Sequence, residues 1–182
     1  MNSKWLAVAF MATSTAFAAD GTITITGEIL GSTCTISGGT SATPGTTANF
    51  PVVLERVQAS ALSAEKAVAA YKPFFIHIGG GATNCPAQSV AVLFERNSPA
   101  ISAITGNLIN QSTTPAANVE VQIIDVTANA ALNLSLGTPS TTVAVGASGT
   151  ATLPFAAQYV AVGGAAEPGN VSTSVQYSVT FP

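Results

Sequence analysis

Polar and apolar residues alternate with period two at both ends of the chain. From Val171 to Phe181 the odd positions are Val171, Thr173, Val175, Tyr177, Val179 and Phe181, and the even ones are Ser172, Ser174, Gln176, Ser178 and Thr180. Side chains on a strand point to opposite faces in turn, so this pattern predicts a half-buried strand with one apolar face carrying a single threonine. Pro168-Gly169 marks the turn where it begins. Near the other end, Gly21, Ile23, Ile25, Gly27 and Ile29 share one phase, and Thr22, Thr24, Thr26 and Glu28 the other. This too predicts a one-sided strand, rich in β-branched residues. Glycine at an inward strand position marks a close backbone approach. With a strand at each extremity, the first either completes this domain's own sheet or completes a neighbour's.

Between them β signals dominate. Strands are expected at Thr33 to Ser37, Phe50 to Leu54, Phe74 to Ile78, Ser89 to Glu95, Ile104 to Asn110, Val119 to Asp125, Leu132 to Leu134, Thr141 to Val145, Thr150 to Phe155 and Gln158 to Val162. A Gly/Thr/Ser/Pro-rich loop runs from Gly38 to Ala48. Ser63 to Tyr71 reads as one short helical turn, with Ser63 as N-cap and Pro73 as its stop. Turn residues every eight to twelve positions give an all-β sandwich with Greek-key connections. No internal repeat, coiled coil or linker interrupts it.

The first eighteen residues stand apart. Lys4, the apolar stretch Trp5 to Met11 and Ala16-Phe17-Ala18 form a secretory signal peptide, with an apolar core too short to span a membrane. Cleavage after Ala18 leaves about 164 residues, which suits one domain. The formal charge is −3, and −4 once Lys4 is removed, which argues against a nucleic-acid or anionic-membrane partner. Only 7% of residues are charged, roughly a quarter of the usual share. A surface with few charges is poorly defended against association, so association is expected to be the normal fate of this protein. Cys34 and Cys85 are the two cysteines. In an exported chain they read as one disulfide, whose loop of about fifty residues contributes roughly 4 kcal/mol. The alternative, a metal or redox pair, has no CxxC motif and a single histidine behind it.

No catalytic constellation emerges. His77 is the lone histidine and lies in an apolar run, there is no GxSxG elbow, and Gly79-Gly80-Gly81 lacks the lysine of a phosphate loop. The carboxylates are scattered singly, and metal-ligand clusters are absent. Catalytic, metal and cofactor sites are therefore all read as none. Asn110, Asn133 and Asn170 head N-x-[ST] sequons, which chance explains in a chain so rich in these residues.

Several stretches taken in order resemble the major pilins of type 1 fimbriae, assembled by the chaperone–usher route. They are Thr22 to Leu30 (TITITGEIL) followed by Cys34, Gly106 to Gln111 (GNLINQ), Ala117 to Asp125 (ANVEVQIID), Phe155 to Tyr159 (FAAQY), and the strand opening at Gly169. The resemblance covers essentially the whole mature chain. It implies an incomplete immunoglobulin-like domain over residues 31–182 that lacks its final strand, preceded by a donor-strand extension at residues 19–30. Ile23, Ile25, Gly27 and Ile29 would enter a neighbouring subunit. Val171, Val175, Tyr177, Val179 and Phe181 would line this subunit's acceptor groove. The implied partners are neighbouring subunits head to tail, a periplasmic chaperone and an outer-membrane usher. The implied location is a fimbrium on the cell surface, reached through the periplasm. Where the family carries a penultimate tyrosine, this chain has Phe181 before Pro182. A minor adaptor pilin would share these features. A self-contained secreted carbohydrate-binding β-sandwich is the rival from another class, and in it the first strand would fold back on its own domain.

Overall fold

The computed structural model describes residues 34–80, 85–98 and 100–182. The residues expected to form a signal peptide and those expected to donate a strand lie outside them. Nine strands are described: β1 (Ile36–Gly39), β2 (Val68–Ile78), β3 (Ser89–Phe94), β4 (Leu108–Ile109), β5 (Val119–Asp125), β6 (Ala130–Ala131), β7 (Val143–Ala144), β8 (Ala151–Ala161) and β9 (Tyr177–Thr180). They form two sheets. One has the order β1-β2-β8-β5-β4, with β6 added on β5, and the other has the order β7-β3-β9. Every pairing between these strands is antiparallel. The architecture is the all-β sandwich that the strand spacing predicts, and it is immunoglobulin-like, as the family resemblance implies.

Alternation builds the core. In β5, Val119, Val121, Ile123 and Asp125 are buried while Glu120, Gln122 and Ile124 are half-buried. Phe74, Ile76 and Ile78 of β2, Val90, Val92 and Phe94 of β3, and Leu153 and Phe155 of β8 close the same interior. Phe155 lies at its centre, stacked on Phe74 at 5.6 Å between ring centroids and meeting Phe94 edge-on at 5.4 Å. Such aromatic pairs add about 0.5–1.5 kcal/mol beyond the area they bury. Cys34 and Cys85 are disulfide-bonded, tying the start of the described chain to the segment before β3.

The structure corrects five expectations. Of Ile104 to Asn110 only Leu108–Ile109 pairs as a strand, and the residues before it form a turn with Ile104 exposed. Ser63 to Tyr71 is not helical. A 3-10 turn covers Ala59–Leu62, Lys66 takes a positive φ of 67°, and β2 begins at Val68. Lys66 N–H donates to the Ala161 carbonyl at 2.8 Å, and Ala161 N–H to the Ala67 carbonyl at 2.9 Å, so sheet pairing overrides local helix propensity. A bulge between Ala69 and Lys72, with Ala70 at φ 60°, adjusts the register on β8. Thr150 to Phe155 and Gln158 to Val162 are one strand, because Ala156 and Ala157 between them are buried in the sheet. Leu132 to Leu134 is not a strand: β6 precedes it, and Leu134 opens a 3-10 turn, Leu134–Leu136. Phe50 to Leu54 runs without ladder pairing, although Phe50, Val52 and Leu54 alternate inward.

Candidate functional site

The chain's last segment makes half of a groove. Residues 171 to 178 alternate strictly between half-buried and exposed, as their polarity predicts. Only Tyr177–Thr180 pairs as a strand, with Ala91 to Phe94 of β3 opposite. Ahead of it the even residues hold the segment down. Ser172 N–H donates to Asn110 Oδ1 at 3.1 Å, and the Ser172 carbonyl accepts from Gln111 N–H at 2.7 Å. Gln176 N–H donates to Ser98 Oγ at 2.9 Å, and its carbonyl accepts from Glu95 N–H at 2.9 Å. Main-chain groups on an extended segment point alternately to its two sides. The even residues therefore use the side toward the body. Among the described residues, no main-chain hydrogen bond is made by Val171, Thr173 or Val175. Their edge is open.

The opposite wall is the segment from Ala48 to Leu54. It is extended, and among the described residues the main chain from Phe50 to Val57 makes no hydrogen bond. Phe50 seats it on β1, where Gly38 leaves the room: a Cβ at Gly38 would lie 2.1 Å from the Phe50 ring. At its far end Glu55 pairs with Lys72 at 3.1 Å.

Between the two walls lies a trough of about 930 Å³, floored by core residues including Phe74, Ile76, Leu108, Val121 and Ile123. Val171, Val175, Tyr177 and Val179 line it, so four of the five expected acceptor residues come together. Phe181, 43% exposed, stands outside it. Ile23, Ile25, Gly27 and Ile29 lie outside the described residues. Tyr177 packs edge-on against Phe50 at 6.4 Å and donates its hydroxyl to the Ala48 carbonyl at 2.7 Å, joining the walls at one end. Burial raises the pKa of Tyr177, and likewise that of Tyr159 on the floor. Among the described residues, Glu95 is the one charged residue that lines the trough, and its carboxylate accepts from Ser178 Oγ at 2.5 Å. The trough is largely apolar and, among the described residues, flanked by unpaired main-chain edges. Such a site suits an extended peptide with alternate apolar side chains.

Sequence reasoning missed the wall at Ala48 to Leu54, although the alternation of Phe50, Val52 and Leu54 was the available signal. It also missed Asn110, whose amide donates to the Ala116 carbonyl at 3.2 Å and the Asn170 carbonyl at 2.8 Å while its oxygen takes Ser112 and Ser172 N–H. Asn110 fixes where the last segment starts, so its sequon has a structural use. His77 is buried with both ring nitrogens engaged. Nε2 donates to the Ser41 carbonyl at 3.3 Å, which leaves Nδ1 to accept from Thr152 Oγ1 at 3.0 Å. It fastens the loop that leads into the groove wall.

No family model matches the chain. A curated relative, the major fimbrial subunit SMF-1 of Stenotrophomonas maltophilia (strain K279a), is 39% identical over 170 residues, which cover 90% of this chain and 94% of that one. The F17 fimbrial protein of Escherichia coli is 31% identical over 180 residues, 96% of this chain and 94% of that one. Among solved structures, a Burkholderia pseudomallei antigen and type I fimbria protein superposes with a TM-score of 0.55 at 21% identity, over 82% of this chain and 100% of that one, which shows a shared fold. With identity of this level along nearly its whole length, the chain belongs to the fimbrial subunit family, the structural proteins from which pili are built.

Proposed function

We propose that this protein is a rod subunit that polymerises head to tail by strand donation, with residues 21–29 of one copy filling the groove of the next. The observation that carries the reading is the trough itself: largely apolar, with a main-chain edge on each side that is unpaired among the described residues. The donor pattern suits it. Ile23, Ile25 and Ile29 share one face with Gly27. Burying three isoleucine side chains contributes on the order of 5–9 kcal/mol before ordering costs. Donor and acceptor are different surfaces of the same chain. The contact is therefore heterologous and generates an open filament rather than a closed ring.

The same open edge makes a free subunit prone to association, which a protecting partner must prevent. A periplasmic chaperone that lends a strand, followed by handover at an outer-membrane usher, supplies that protection on the way to the surface. The protein's work is assembly, and no reaction is assigned to it.

The test uses the full mature chain, refolded with its disulfide formed. Gly27→Arg places a bulky charge where the donor needs none but leaves the acceptor intact. Parent protein is expected to form filaments by electron microscopy, and the variant to stay monomeric. A synthetic peptide of residues 20–30 is then expected to raise the variant's Tm with concentration, because it binds only the folded state. Filaments from Gly27→Arg equal to the parent's, or a Tm indifferent to the peptide, would overturn the reading.

A further inference from the structure

One buried side-chain oxygen of the groove has no partner among the described residues. Among the described residues, Thr173 Oγ1 is the buried side-chain nitrogen or oxygen without a hydrogen bond. It belongs to the apolar face of the last segment, between Val171 and Val175, and lines the trough. Among the described residues, the main chain of Thr173 is also unpaired. A buried hydroxyl left unsatisfied costs about 1–3 kcal/mol, whereas valine would fill the same volume without that cost. Valine stands on each side of it, so the position is not closed to that residue type.

We infer that Thr173 is a specificity-determining residue of the groove, its hydroxyl satisfied by the main chain of an incoming strand at Gly27. This rests on the strand-donation reading above. The committed occupant is residues 21–29 of a second copy, and it fits on length. The arm's inward positions run from Gly21 to Ile29, and the groove's from Val171 to Val179. Each spans eight residue steps, about 27 Å of extended chain. Two full-length alignments exist. Run parallel, they set Ile23 opposite Thr173, and an isoleucine side chain offers the hydroxyl nothing. Run antiparallel, they set Gly27 opposite Thr173. Glycine has no Cβ, so the hydroxyl can reach the donor's main chain, directly or through one water held where a side chain would stand. The unpaired hydroxyl thus selects both the direction of the donor and a glycine at that one position.

The test again uses the full mature chain. Thr173→Val removes the hydroxyl at constant shape, and Thr173→Ser keeps it. The expected result is that Thr173→Val filaments dissociate in guanidinium roughly tenfold faster than the parent's, while Thr173→Ser filaments stay close to the parent. In the Gly27→Arg background, which holds the groove empty, Thr173→Val is expected to melt no lower than Thr173. The pairing itself is read by oxidative cross-linking. Thr26→Cys with Ser174→Cys should join neighbouring subunits, and Thr26→Cys with Gln176→Cys, the parallel pairing, should not. Thr173→Val filaments as durable as the parent's, or cross-linking through the 26/176 pair, would overturn the assignment and leave strand donation standing. A parent chain that forms no filaments would overturn strand donation, and this assignment with it.

Discussion

The Tyr177 hydroxyl donates to the Ala48 carbonyl across 2.7 Å, linking two segments that are 129 residues apart and otherwise form opposite walls of a trough. The same ring leans on Phe50, and Phe50 leans on Phe74 of the core at 6.0 Å. One side chain therefore sets how far the mouth stands open at that end.

Tyr177→Phe keeps the ring contacts and deletes the tie. The bond lies at the surface, so the loss of stability should be small, about 0.5–1 kcal/mol by guanidinium unfolding. Its larger effect should fall on assembly. With the wall from Ala48 to Leu54 freed at one end, the groove of the free subunit is less preorganised, and filament formation should slow more than stability alone accounts for. Equal filament growth by parent and variant would show that the tie has no part in shaping the groove.

Alkaline pH should act through the same residue. Burial raises Tyr177 and Tyr159 above the ordinary tyrosine value of 10.0. Both states are neutral at these positions at pH 8, and stability does not depend on them there. Above about pH 10 the unfolded chain loses these protons first. It then binds fewer protons than the folded chain, and stability falls as pH rises through the folded pKa values. Ionised Tyr177 also cannot donate to Ala48. Unfolding midpoints measured from pH 8 to 11 should decline at the upper end, and the decline should flatten when both tyrosines are replaced by phenylalanine.

What was legible in the sequence follows from how locally each feature is encoded. β5 and the last segment each bury one face along their length, so polarity alternates and the strand can be read directly. Ala156 and Ala157 carry no such contrast, and β8 looked broken there. SAEKAVAA has good helix formers, but its main chain finds partners on Ala161, about a hundred residues away, and no local pattern records that. The groove was half legible. Its near wall lies in the alternation from Val171 to Val179. The far wall alternates too, at Phe50, Val52 and Leu54, but that pattern does not say that it faces the last segment. Thr173 was visible as the one polar residue on an apolar face. That its hydroxyl lacks a partner is a property of the folded surroundings alone.

Gly169 is fixed by sterics. A Cβ there would stand 2.3 Å from Ala116 N and 2.5 Å from the Pro115 carbonyl carbon, both backbone atoms that cannot swing aside. The close approach allows the parallel bridge between Pro115 and Asn170, and the bond from Ala116 N–H to the Asn170 carbonyl at 2.9 Å. Gly169→Ala should cost about 1–3 kcal/mol and displace the start of the acceptor segment. Gly39→Ala is the control, because a Cβ there meets nothing closer than 4.0 Å. The two variants should separate clearly in Tm, and an unshifted Gly169→Ala would mean that this end of the groove yields more readily than its backbone contacts imply.

Asp125 should matter more to the fold than any other carboxylate described. It is 2% exposed at the end of β5, in the first sheet. Oδ1 accepts from Ala128 N–H at 3.1 Å and closes the turn toward β6, while Oδ2 accepts from Thr141 N–H at 2.7 Å. The chain at Thr141 is already entering the second sheet, since neighbouring Ser140 exchanges bonds with Val92 of β3 through its N–H at 2.7 Å and its Oγ at 3.0 Å. One carboxylate thus joins the two sheets. Asp125→Ala leaves two N–H donors without acceptors and should cost about 3 kcal/mol. Asp125→Asn keeps one acceptor but turns an NH₂ toward the other donor, so its cost should be intermediate. Guanidinium unfolding of the oxidised chain would order the three proteins. If Asp125→Asn proved as stable as the parent, only one of the two bonds would be holding the sheets together.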